Sequence, residues 1–403
     1  MTHPVLDGLR PGTASPVSAP WRQGAWSRLE RDGVPHRRQE AWRTTDPAPF
    51  LDRLAQGQAA VAQEPPTGAL VLNADGTWTL PAEDIPGIRA RSLEDACEEG
   101  TAVSDWLAGT SGAMGLADVV RAGASGGGVL EIAGIIEQPL RVWRTPAAGA
   151  AILPPLLVVL APGARVVIED LGGAAGTLLT AGHGVVGPDA RLHWVRHVSA
   201  ALGTTWWQDT QSFRVEAGGE LDVHVVVTGA SWLRMDLPVA LVGENASFSY
   251  RGLIANPADG HADLRLDLRH RASRTTSRQV HRGLHGRGAR GIFTGLVHVV
   301  EGVGAVRSDQ ELRALMLAEG ASALCQPQLE ILADDVACSH GATVGQLDED
   351  ALFYLRARGL DAPTARALLA AAFAQPALEG LPSGTAQAVR TDLARAGLAE
   401  VGS

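Results

Sequence analysis

The sequence predicts a mainly β protein: a β-solenoid core over residues 129–346, between an N-terminal mostly helical region (1–128) and a C-terminal helical domain (347–403). Three observations carry this. From Val129 to about Thr343, short β-branched runs alternate with tight Gly/Ala/acidic corners. The corners resemble one another: VLAPGARVVI, VVGPDARLHW, RVEAGGELDVH, LVGENASFSY and, later, MLAEGASALC. Their central small residues Ala164, Ala190, Gly219 and Ala246 are 26, 29 and 27 apart, and the next related corner, near Ala321, follows only after several such lengths. Recurrence at a fixed period means one supersecondary unit stacked on the next. Near-continuous apolar strands without amphipathic helices between them favour a solenoid over a βαβ sheet. A sandwich with acidic-Gly hairpins looks similar locally, and the constant shape of the corner decides for the solenoid.

Taken in order, Pro20–Glu30 forms a short helix with Trp21, Trp26 and Leu29 on one side, and Phe50–Ala55 adds a helical turn. Gln56–Gly68 is linker-like, with two prolines near its end. Ala69–Leu80 is a small hairpin turning at Ala74-Asp75-Gly76. Ser92 caps a short acidic helix holding Cys97, and Trp106–Arg121 is weakly helical. Ala124–Gly128 is a flexible boundary.

After Val344 the pattern is helical. Asp348 caps a helix over Glu349–Arg358, which Gly359 stops. Asp361 and Pro363 start the next, with a stripe of Ala365, Leu368, Leu369, Ala372 and Phe373, and Pro376 ends it. Ser383 opens a third, striped by Ala386, Val389, Leu393 and Ala396. These helices are expected to close the end of the solenoid or to dock another protein.

Composition excludes several functions. The net charge of -10 argues against a nucleic-acid or anionic-membrane partner, both of which want a basic face. The chain has no lysine, which removes the P-loop consensus and any lysine Schiff base. The most apolar run, Ala150–Leu160, contains Pro154 and Pro155 and is too short to span a bilayer. No charged segment precedes an apolar one in MTHPVLDGLRPG, so a cytoplasmic location is expected. Neither a GxSxG elbow nor a strand–GxGxxG–helix is present, so no catalytic residue is assigned.

The chemistry concentrates around Pro327–Arg358, where Cys338 and His340 sit two apart, on one face if the segment is a strand. Thiolate and imidazole are soft-metal ligand types. One Cys-x-His pair without a second is a weak signature, and a buried thiol beside a hydrogen-bonded histidine is its plain reading. Asp334 and Asp335 offer hard oxygens nearby, though corner aspartates ordinarily cap turns. Cys325 is placed on a neighbouring strand as a small hydrophobe. His281 and His285 read as chance neighbours in an exposed loop or strand. His193 and His197 share one solvated strand face, opposite Trp194 and Arg196. Trp206-Trp207 reads as packing on an outer sheet face.

The stretch PQLEILADDVACSHGATVGQLDEDALFYLRARGL resembles the C-terminal part of the SufB/SufD family of iron–sulfur assembly proteins, on its SufD side. The likeness extends through TTSRQVHRGLHGRGARGIFTG and Gln310, and PHRRQEAWRTTD looks like the family's Glu-x-Trp-Arg element. Between about 70 and 250 it is one of pattern. It implies a right-handed parallel β-helix between two helical regions, and a complex with the paralogue SufB and the ABC-type ATPase SufC. SufC would bind the C-terminal helical domain, and the β-helices of the two scaffold proteins would pair. The histidine of CSHG carries onto His340 and the adjacent cysteine onto Cys338, at an interface where a transient Fe–S cluster forms. No cofactor is then held stably by the chain alone, and a homodimer is the form considered when SufB is absent. Cys325 departs from the family pattern and takes no role.

The function expected is therefore a non-catalytic scaffold. A purely structural adaptor for the ATPase, with Cys338 and His340 as buried packing, is the alternative. A solenoid carbohydrate enzyme is a poor third, since two tyrosines and no lysine make a thin sugar cleft.

Overall fold

The computed structural model describes residues 4, 20–81, 85–99, 115–171, 174–199 and 205–398. Trp106 and the side chain of Trp21 fall outside them.

From Gly128 to Gln346 consecutive strands alternate between two ten-stranded sheets. The first sheet takes Gly128–Ile132, Leu156–Leu160, Ala174–Val186, Thr205–Val215, Trp232–Leu241, His261–His270, Arg290–Val299 and Ser322–Ile331. The second takes Leu140–Arg144, Arg165–Asp170, Arg191–Val198, Glu220–Val227, Ser247–Ala258, Thr276–Arg287, Val306–Met316 and Val336–Gln346. Neighbours among these sixteen strands are parallel. The result is a parallel β-solenoid of about seven turns.

The coil length is the sequence period. Arg191 pairs with Arg165 and Glu220, and Glu220 with Ser247, offsets of 26, 29 and 27. Ala164, Ala190, Gly219 and Ala246 are buried corners. Each accepts a hydrogen bond from the first strand residue of the next coil. The series then continues to Thr275, whose carbonyl accepts from Arg307 N. Thr275 escapes a small-residue template because its hydroxyl, bonded to Ala272 O and to His270, supplies the tight corner instead. Ala321 belongs to the other row of corners, in line with Ala289 and Gly260 at the start of first-sheet strands.

The N-terminal end is closed. Ile88–Ser92 lies antiparallel to Gly128–Ile132, and the hairpin Leu70–Leu72/Trp78–Thr79 continues the second sheet. Gly76, at φ 89°, makes the hairpin turn. The helices Pro20–Asp32 and Ala48–Ala55 pack with Gly115–Gly123 on the outer face of the first sheet. Ser92 accepts from Asp95 N, as expected of an N-cap.

At the C-terminal side, Glu349–Ala357 is capped by Asp348 and Ala362–Leu378 by Asp361. Three expectations need correction here. The helices lie on the outer face of the second sheet, against Val226, Leu253, Ala255 and Leu284, and leave the solenoid end open. Pro376 sits inside Ala362–Leu378, in its last turn, where the missing N–H forfeits one backbone bond without ending the helix. The buried stripe of that helix is Ala365, Ala367, Ala370, Ala374 and Ala377, while Leu368 is 47% exposed. Alanines let the helix axis come close to the sheet, so small residues form the packed face. In Ser383–Arg395 the buried positions do include the expected Val389 and Leu393.

Among the described residues the lumen carries a charged layer between apolar ones. Arg144 reaches Asp170 at 3.0 Å, and Arg196 reaches Asp170 at 2.9 Å and Asp209 at 3.0 Å, all 1% exposed or less. No helix among the described residues is long and apolar enough to cross a membrane.

Candidate metal-ligand site at the open end of the solenoid

Val336–Gln346 is the last strand of the second sheet and Ser322–Ile331 the last of the first. Among the described residues each pairs on one side only, so both present a free row of backbone donors and acceptors there. Leu324, Ile331, Leu332 and Val344 are exposed apolar side chains on this terminal coil.

Register fixes what lies beneath. Cys338 is aligned with Ser308 and His340 with Gln310. Because side chains alternate, Cys338 and His340 both take the lumen-facing side, roughly 6.6 Å apart along the strand. With no further coil above them among the described residues, Cys338 is half-buried and His340 exposed. The expected pairing on one face is thus present, and the buried placement of the packing reading does not hold for His340.

Below them run two polar columns. Under Cys338, Ser277 donates to Ser308 at 2.8 Å and bonds His270 at 3.1 Å. Under His340, Gln310 Nε2 donates to Gln279 Oε1 at 3.0 Å and to Gly295 O at 3.2 Å. Burial pushes the Cys338 thiol up, partly opposed by a hydrogen bond from the Ser308 backbone. A metal taking this sulfur therefore displaces a proton. Cys325 stands in the adjacent strand of the same coil, and burial pushes its thiol up to about 11. Asp335 caps the corner, accepting from Ala305 N at 2.8 Å. No cluster of three His, Cys, Asp or Glu suited to a metal occurs among the described residues.

The other singled-out residues lie elsewhere. His281 and His285 are both 2% exposed, correcting the exposed reading: the glycines around them open the lumen to imidazole rings. His281 stacks on Phe293 at 4.2 Å, and a Cβ on Gly291 would strike His285. His193 and His197 do share a face, but the C-terminal helices cover it. His193 bonds His224 at 2.8 Å, His224 bonds Glu379 O at 2.9 Å, and His197 meets Asp392 at 3.2 Å. Trp206 packs outside against Trp232, as expected of the pair, whereas Trp207 enters the lumen and donates to Thr180. Residue-type reasoning missed Ser308, Gln279 and the structural place of Gln310. They stand one or two coils before Cys338 and His340, at offsets of 30 and 31 residues, so a coil slightly longer than the 26–29 of the earlier corners is the signal that finds them.

Fold and site define a parallel β-solenoid protein whose unpaired end presents a thiol and an imidazole. The chain belongs to the SufBD core family: the family described as SUF system FeS cluster assembly, SufBD core domain, matches residues 143–373. Within it the likeness is to SufD-type members. The chain is 36% identical over 160 residues to the iron-sulfur cluster assembly protein SufD of Escherichia coli (strain K12), which is 39% of this chain and 37% of that protein. It is 34% identical over 176 residues to Protein ABCI7, chloroplastic, of Arabidopsis thaliana, covering 42% and 36%. With SufD of Bacillus subtilis (strain 168) it shares 37% over 94 residues, 23% and 22% of the two chains. The matched stretches thus span well under half of these relatives.

Proposed function

We propose that the chain is a non-catalytic scaffold subunit in SUF iron–sulfur cluster assembly. Its open end docks a SufB-type paralogue, and Cys338 and His340 contribute ligands to the nascent cluster at that interface. The C-terminal helices dock a SufC-type ATPase. One observation carries the reading: the terminal coil is unpaired, apolar at Leu324 and Val344, and sets Cys338 and His340 on the same open face.

The chemistry is consistent. Sulfur and imidazole nitrogen suit iron–sulfur centres, and two donors are half of a four-donor set, so a second chain supplies the rest. An unpaired parallel edge is a template for another strand, and a second solenoid end has the complementary rows. Phe353 and Tyr354, 75% and 56% exposed on Glu349–Ala357, offer the helical domain an aromatic contact for the ATPase. ATP hydrolysis falls to that partner, because a chain without lysine cannot complete a P-loop. The cluster is cargo, released when the interface changes.

Hydrogen exchange tests the docking face. The outward-pointing amides of Val336–Gln346, those not bonded to Val306–Met316, exchange fast in the isolated chain and are protected in the complex with the SufB-type partner. Protection confined to other strands sinks this placement.

A further inference from the structure

Gln310 is 1% exposed although only one coil lies above it, and its amide orientation is settled by its partners. Both contacts of its nitrogen, Gln279 Oε1 and Gly295 O, are acceptors, so exchanging O and N would set acceptor against acceptor. Space has been kept for this arrangement: a Cβ on Gly295 would stand 2.9 Å from Gln310 Nε2 and 3.1 Å from Gln279 Oε1. The remaining atom, Gln310 Oε1, is buried and has no hydrogen-bond partner among the described residues. A buried acceptor left without a donor is destabilising. The side chain in register on the last coil is His340, exposed and free to turn, and a neutral imidazole has one N–H to give.

We propose that Gln310 is a positioning residue: its buried oxygen accepts the ring N–H of His340 and fixes the tautomer whose other nitrogen faces out of the open end. That outward nitrogen then carries the lone pair, as a metal ligand requires, and the ring is held against rotation. The Gln279–Gln310–His340 column is thus the outer support of the ligand, built from two amides and the bare backbone of Gly295. This inference rests on the ligand role proposed above for His340, but its test reads the chain alone.

The experiment is proton–nitrogen NMR of the full chain labelled on histidine, near neutral pH. A hydrogen-bonded ring N–H exchanges slowly and is seen, whereas that of a solvent-exposed histidine is lost to exchange. The expected result is a ring N–H signal that vanishes in His340→Ala, which assigns it, and also in Gln310→Met, with the signals of the buried histidines retained. Absence of a His340 ring signal in the unaltered chain overturns the proposal, whether or not Gln310→Met folds. So does its persistence in a folded Gln310→Met. If the signal is present but His340→Ala leaves cluster formation intact, the ligand role fails and the column stands as structure.

Discussion

The Arg234 guanidinium lies over the Trp42 indole at 4.8 Å, and its Nη2 donates to Ala41 O at 3.0 Å. Arg234 is held in turn by Asp236 and Asp263, both at 2.7 Å. Thr45 donates to Asp263 and accepts from His261 Nε2 at 2.9 Å, taking His261 as its Nε2–H tautomer. The EAWRTT segment is therefore a peg that fastens the N-terminal helices to the first sheet.

Trp42→Ala removes a 1% exposed indole and should cost about 3–5 kcal/mol, mostly as detachment of the segment it anchors. Trypsin, with many arginines to cut in residues 20–55, reports this directly. Cleavage there should accelerate strongly while the solenoid stays resistant. Unchanged proteolysis would show that the peg carries little.

The lumen charges make a second case. Arg196→Met leaves Asp209 buried without its cation, a loss of about 3–5 kcal/mol. Adding Asp209→Leu keeps the Arg144–Asp170 pair intact and should recover part of that loss. Urea midpoints of the single and double variants decide it. A double variant less stable than the single contradicts the reading.

Acid should loosen the fold before the carboxylates titrate. Burial pushes His224, His270 and His285 down to about 4, against about 6.5 when unfolded. Above 6.5 they are neutral in both states and add no pH dependence. Between 6.5 and 4 the unfolded chain takes up protons that the fold refuses, so stability falls as pH falls. The slope approaches about 1.4 kcal/mol per pH unit for each histidine. The urea midpoint should drop from pH 7 to pH 5, and a flat profile would contradict the neutral burial of these rings.

The solenoid was legible because its period is written in the corners at Ala164, Ala190, Gly219 and Ala246, where only small residues fit. It faded where chemistry replaced size, as at Thr275. Periodicity likewise placed Cys338 and His340 on one face without any structure. Burial was harder to read, because it depends on what covers a strand. Trp207 and Arg196 fill the lumen, while His193 and His197 lie under helices nearly 200 residues further along the chain. The packed face of Ala362–Leu378 was missed for a related reason: close approach to a sheet selects alanine over leucine. Gln310 became visible as a support only once register put it beneath His340.

The most direct measurement is anaerobic reconstitution of the co-expressed complex with SufB- and SufC-type partners, carrying His340→Ala or Cys338→Ser in this chain. Cluster absorbance and complex integrity are read on the same samples. The account predicts that His340→Ala lowers cluster yield severalfold while the complex stays assembled. An unchanged yield in an intact complex would make the chain an adaptor and would contradict a ligand role for its open end.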